Sequence, residues 1–273
     1  METADLERSD VVGNAARYAA RHAAMAPASR SVGPDPELAL SQTAKLRSQP
    51  GKELALANLL YRAGVGFRAR NQWREAVEAL QEALSLRLSY GNSQEVADCR
   101  YQLALPLERL ARLDEAVVML KEALPAYREA QNLLGVANTL KALGDLESRL
   151  GQLDSARLRY NEALTLYVVE QNNLGRANTL QALGDLESRL QDFDAAWQFY
   201  NDALPLYVAE QELTGLAYVL AEIAGLLWIK GDASEARKLA ARAREAARDS
   251  NTPPVVEWVE DSLGRAEQQF ETR

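Results

Sequence analysis

The chain of 273 residues has one cysteine and one histidine. Cys99 alone closes no internal disulfide, which excludes the disulfide-stapled scaffolds of secreted proteins. His22 stands among alanines with no second histidine to share an ion, which excludes His-rich metal sites. No apolar run approaches the roughly 20 residues of a membrane span, and the start METADLERSD is acidic where a signal peptide is basic. The expectation is a folded cytoplasmic protein with no membrane association. Basic charge is also short, with 31 Lys and Arg against 39 Asp and Glu and a net charge of −8. Phosphate binding needs a basic patch and counterion release, so a nucleic-acid partner is not expected. Catalytic signatures are missing as well: no Gly-rich phosphate loop after a strand, no H-E-x-x-H, no G-x-S-x-G and no Cys pair. The sequence predicts neither an enzyme nor a bound cofactor.

What the chain does have is repetition. Residues 131–170 read QNLLGVANTLKALGDLESRLGQLDSARLRYNEALTLYVVE, and residues 171–210 read QNNLGRANTLQALGDLESRLQDFDAAWQFYNDALPLYVAE. A unit of about 40 residues cannot bury its apolar face alone, so copies must stack. Leu103, Leu143, Leu183 and Ile223 recur in register, as do Ala116, Ala156, Ala196 and Ala236. The period predicts five units, 51–90, 91–130, 131–170, 171–210 and 211–250. Residues 1–50 are expected to form a degenerate repeat or cap that includes a helix over Asp10 to Ala26, and 251–273 a capping helix.

Within a unit the apolar residues fall at helical spacing, break, and resume, as in Leu140, Leu143, Leu146 and Leu150 and then Ala156, Tyr160, Ala163 and Leu164. Each unit therefore reads as a pair of helices, and the fold class as all-α. Gly151 is expected to end a first helix and Asp154 to cap the second, with Asp114, Asp194 and Ser234 in the same place. Gly64, Ala104, Gly144, Gly184 and Ala224 share one register on the first helices. A helical Gly costs about 1 kcal/mol relative to Ala, so its recurrence there implies close approach of the second helix. Pro106, Pro125 and Pro205 lie inside helical patterns and predict kinks rather than breaks, because the apolar register resumes after each.

Leu143-Gly144, Ala156, Tyr160 and Ala163-Leu164, repeated as Leu183-Gly184, Ala196, Tyr200 and Ala203-Leu204, resemble the tetratricopeptide (TPR) repeat. The longer period resembles the units of kinesin light chains and Pins-type polarity scaffolds. The resemblance covers about residues 51 to 250. It implies a right-handed superhelical solenoid whose concave face, lined by first helices, binds peptides or protein segments without catalysis.

If first helices line such a groove, the register names its wall. One stripe is Asn58, Asp98, Asn138, Asn178 and Tyr218. The next holds Tyr61, Tyr101, Lys141, Gln181 and Ala221, and a third Val65, Leu105, Asp145, Asp185 and Gly225. The last holds Ala69, Arg109, Arg149, Arg189 and Ile229, with Arg68 and Trp228 adjacent. The amides could grip the backbone of a bound peptide, or satisfy amides of their own chain. The arginines could hold carboxylates of a partner, or pair with Asp145 and Asp185 four residues earlier. Trp228 could anchor an apolar side chain, or pack under the end of the array. Cys99 reads as a buried, inert thiol.

The leading expectation is a non-catalytic adaptor holding a peptide or helix of a partner protein in the groove. A ligand-gated sensor that controls a signalling protein is a second reading. Self-association through apolar residues near Trp228 and Trp258 is a third.

Overall fold

The computed structural model describes residues 35–272. Among them are twelve α-helices and no strand. They are α1 (Pro36–Leu46), α2 (Glu53–Ala69), α3 (Trp73–Tyr90), α4 (Ser93–Arg109), α5 (Leu113–Glu129), α6 (Leu133–Arg149), α7 (Leu153–Val169), α8 (Asn173–Arg189), α9 (Phe193–Ala209), α10 (Leu213–Lys230), α11 (Ala233–Asp249) and α12 (Pro253–Glu271). The expected helix over Asp10 to Ala26, with His22, lies outside the described residues. Two compact units divide the chain, with α1 to α6 before Gly151 and α7 to α12 after it. Within each unit every helix packs on its neighbours in sequence.

Three columns of alanine set the spacing of these helices. Ala57, Ala97, Ala137, Ala177 and Ala217 on first helices have no exposed surface, and the same holds for Ala76, Ala116, Ala156, Ala196 and Ala236 on second helices. Ala83, Ala123, Ala163, Ala203 and Ala243 form the third column, again fully buried. Side chains this small let helices approach closely, and the leucines between them fill the remaining space at crystal-like density.

The turns are as regular as the columns. Asn71, Ala111, Gln131, Gln171, Gln191, Gln211 and Asn251 all have positive φ, and Gly51, Gly151 and Gly231 complete a series spaced by multiples of 20 residues. Each residue of the series from 71 onward ends a helix in the left-handed conformation. At most of these turns the following amide then bonds back into the finished helix, as Asn132 N–H does to the Tyr127 carbonyl at 3.0 Å. That following residue is also the N-cap of the next helix. Asn132, Asn172, Asp192 and Asp232 each accept from the backbone amide three residues on, at 2.8, 2.6, 3.0 and 3.1 Å.

This short turn moves the caps from where the sequence placed them. Asp114, Asp154, Asp194 and Ser234 lie inside the first turns of α5, α7, α9 and α11 rather than at their caps. The carboxylates there face the positive end of the helix dipole. Gly151 does leave its helix at φ +78°. The helices run on through Pro106, Pro125 and Pro205, so none of the three breaks a helix.

Five helical glycines have a packing cause that is specific to side chains of the neighbouring helix. A Cβ on Gly184 would lie 2.5 Å from the Tyr200 ring, one on Gly64 2.5 Å from Leu80, and one on Gly175 2.5 Å from the Tyr167 ring. Gly135 and Gly215 meet Tyr127 and Tyr207 in the same way. In the unit where the tyrosine is replaced by Arg87, the glycine is replaced by Glu95.

Helix α10 corrects one expectation. Leu213–Lys230 has a mean hydropathy of 1.5 and is long and apolar enough to cross a membrane by length and composition, the one such helix among the described residues. In the fold it is a core helix, packed on α9, α11 and α12 with 56% of that window buried.

Three substitutions separate these causes. Ala111→Gly relieves a left-handed Cβ, and Gly225→Ala fills open space inside α10, where nothing lies within 4 Å. Each should raise stability by about 1 kcal/mol in urea titration. Gly184→Ala should lower it by about 1–3 kcal/mol through overpacking against Tyr200.

Candidate functional site

The polar stripe of the first helices is built from the second helices. In α5 the Tyr127 hydroxyl donates to Asp98 Oδ1 at 2.7 Å, and in α9 the Tyr207 hydroxyl donates to Asn178 Oδ1 at 2.8 Å and to the Gln181 amide oxygen. Arg87 occupies the tyrosine register in α3, and its Nη2 donates to Asn58 Oδ1 at 2.9 Å. Its other nitrogen reaches the Glu95 carbonyl at 2.9 Å, and its guanidinium lies 4.4 Å from the Tyr61 ring centre. These bonds hold Asn58, Asp98, Asn178 and Gln181 in one orientation. Burial, followed by the bond to Asp98, pushes the Tyr127 phenol far above its ordinary value.

The structure brings the predicted residues of 35–150 together as follows. Asn58 is exposed, and Asp98, Arg109, Asn138, Lys141 and Arg149 are half-buried. Asp145 is buried and pairs with Lys141 at 2.7 Å. Arg149 pairs with Glu108 of α4 at 2.6 Å, so the pairing of Arg149 with Asp145 along one helix is replaced by a link between first helices. Burial raises the Glu108 carboxyl and nearby Asp145 raises it further, while Arg149 and Arg109 act against both. Arg109 stands 5.9 Å from the Trp73 ring centre, and burial lowers its pKa.

In residues 151–272, Asn178 and Asp185 are half-buried and Arg189 is exposed. Asp185 accepts from the Tyr200 hydroxyl at 2.7 Å. Gln181 and Trp228 are 2% and 3% exposed, so neither presents an open side chain. Trp228 belongs to the core that α10, α11 and α12 share, with Tyr218 and Trp258, whose ring centres are 4.3 Å apart. The last helix covers this end, which is why an aromatic residue replaces the polar ones of earlier units. The anchoring role of Trp228 is thereby set aside.

Sequence reasoning passed over two features of this site. Glu108 lies one position before the arginine register and was not singled out. Glu187 is buried and accepts from Nε and Nη2 of Arg157, at 2.8 and 2.7 Å. The recurrence of Tyr127, Tyr167 and Tyr207 eight residues before Gly135, Gly175 and Gly215 was the available signal for the tyrosine contacts. Among the described residues no cluster of His, Cys, Asp and Glu could hold a metal ion.

The model of the soluble NSF attachment protein (SNAP) family matches residues 45–217, and the chain belongs to that family. No curated protein matches it. Among solved structures it is similar to BtubC (BKLC) from P. vanneervenii, at 19% identity and a TM-score of 0.68, over 81% of this chain and 92% of that one. It is similar to NprR in complex with its cognate peptide NprX, at 18% identity and a TM-score of 0.63, over 95% of this chain and 74% of that one. The TPR-like repeats of a putative kinesin light chain from Podosopora anserina share 15% identity at a TM-score of 0.56, over 77% of this chain and 98% of that one. At these identities the likeness shows the fold, a TPR-type helical-repeat solenoid.

Two measurements check the packing of the site. Tyr127→Phe leaves Asp98 without its donor and should cost about 1.5–3 kcal/mol. Cys99 is fully buried, and burial pushes its thiol up to about 11. It should resist a thiol reagent at pH 8 in the native state and react at once in denaturant.

Proposed function

We propose, from that family and fold, that the protein is a non-catalytic interaction scaffold of the cytoplasm whose first helices hold a peptide or helix of a partner protein. The observation that carries the reading is the one-sided character of those helices. Their other faces are alanine and leucine in the core, while Asn58, Arg109, Lys141 and Arg149 in one unit, and Asn178, Asp185 and Arg189 in the other, keep polar surface open.

Part-buried polar groups suit this role. Each neutral hydrogen bond to a ligand contributes a net of about 1 kcal/mol, and a guanidinium on a carboxylate about 1.5–3. The tyrosine and arginine contacts beneath the stripe hold its amides and carboxylates in place before a partner arrives, which lowers the ordering cost of binding. A protein of this fold, NprR, has been crystallised with its cognate peptide, in keeping with a peptide ligand. The mechanism is presentation of fixed side chains, with no bond made or broken.

A random peptide library displayed on phage and panned on the full chain tests this. The double variant Arg109→Ala/Lys141→Ala should lose the selected peptides by at least tenfold. Val118→Ala/Lys121→Ala, on the exposed side of α5, should keep them. Equal retention by both variants rejects the assignment.

A further inference from the structure

Among the described residues, helix α12 is covered on one side only. Its buried residues Val255, Trp258, Val259 and Leu263 belong to the core shared with α10 and α11. Helix α11 adds ion pairs across to it, from Arg244 to Glu260 at 2.8 Å and from Arg237 to Glu267 at 3.4 Å. The far side carries Glu257, Asp261, Gly264, Gln268 and Glu271, all exposed. Glu257 and Glu271 make no hydrogen bond or ion pair with any described residue. Asp261 pairs with Arg265 of its own helix at 2.7 Å.

Gly264 stands in the register of Gly64 and Gly184. At those two positions a Cβ would meet Leu80 or Tyr200 of a covering helix at 2.5 Å, whereas at Gly264 nothing lies within 4 Å. A glycine inside a helix is costly, and at Gly64 and Gly184 it stands where another helix crosses. Glu257 stands where α2, α4, α6, α8 and α10 carry the buried alanines Ala57, Ala97, Ala137, Ala177 and Ala217. A helix that fits this face therefore brings cations as well as small side chains.

Helix α11 already meets α12 in that way, with Ala236, Ala240, Ala243 and Ala247 buried and Arg237 and Arg244 on the acids of α12. Residues 11–26, which precede the described part of the chain, read VVGNAARYAARHAAMA. They hold Arg17, Arg21 and His22 and no acid. Ala16 and Ala23 repeat the separation of the paired buried alanines on second helices, from Ala76 and Ala83 to Ala236 and Ala243. Arg17 and Arg21 also match the spacing of Glu257 and Asp261, so in helices each pair lies one turn apart on one side.

We propose that residues 11–26 of this chain dock as a helix on the exposed face of α12, over Gly264, with Arg17 and Arg21 against Glu257 and Asp261. The alanines permit the close approach that Gly264 leaves open. Opposite charge sets the register and turns away acidic segments. The docking is independent of any peptide on the first helices.

Hydrogen exchange of the full chain, read by mass spectrometry over residues 11–26, tests this. The segment should exchange about tenfold more slowly than a free peptide of the same sequence. Glu257→Lys/Asp261→Lys should abolish that protection, and adding Arg17→Glu/Arg21→Glu should restore it. Glu245→Lys, on the exposed side of α11, should leave it unchanged. Circular dichroism of each variant should match the unaltered chain, since all the altered positions of α11 and α12 are exposed. Light scattering then tells which copy supplies the segment, and both results support the docking. A constant monomer mass gives it to the same molecule, and a mass that rises with concentration and falls back in Glu257→Lys/Asp261→Lys gives it to a second copy. Absence of protection in the unaltered chain, protection that survives Glu257→Lys/Asp261→Lys, or loss that the fourfold variant fails to restore overturns the proposal.

Discussion

Close approach between helices is the constraint on which the rest of this structure depends. Alanine columns with no exposed surface fix how near the helices lie, and little else in the sequence is free once that distance is set. A turn must then join antiparallel helices in two or three residues, which forces a left-handed residue even where the side chain is Gln or Ala. The penalty of about 1 kcal/mol or more for such a residue is accepted at seven positions without a glycine, because a longer turn would spoil the register of the columns. Glycine is spent instead where a tyrosine ring crosses a neighbouring helix, as at Gly184 under Tyr200.

The same spacing makes the polar stripe what it is. Tyr127 and Tyr207 lie over a glycine on one side and reach a stripe side chain with the hydroxyl on the other. A single residue thus closes the core and orients Asp98 or Asn178. Arg87 performs the second task without the first, and Glu95 accordingly stands where a glycine would be needed under a ring. Core packing and the polar face are therefore coupled within each helix pair, and substitutions beneath the stripe reach its surface.

Helical class was legible because apolar residues at Leu140, Leu143 and Leu146 repeat as Leu180, Leu183 and Leu186, a pattern that only a packed helix explains. All six are buried. The caps were misread because Asp154 looks like an N-cap in isolation, and only the turn over residues 150–152 shows that the cap position is Gln152. The partners of the stripe were hidden for a different reason. Tyr127 and Asp98 are 29 residues apart, and local spacing carries no record of a contact between the two helices of a unit. Trp228 could be read as anchor or as core, and the choice was made by α12, which covers it from outside the repeated region.

Function follows from what the packing leaves open. Alanine, leucine and tyrosine are committed to the interior, and the first helices are left with amides, carboxylates and guanidinium groups of fixed orientation. The central claim is that a partner touches those helices and no others. Amide chemical-shift mapping of the full chain with a selected peptide tests it most directly. The account predicts perturbations confined to α2, α4, α6, α8 and α10, with the exposed faces of α3, α5, α7 and α9 silent. Perturbations centred on Leu88, Val118, Leu158 or Val208, which are exposed on those second helices, would contradict it.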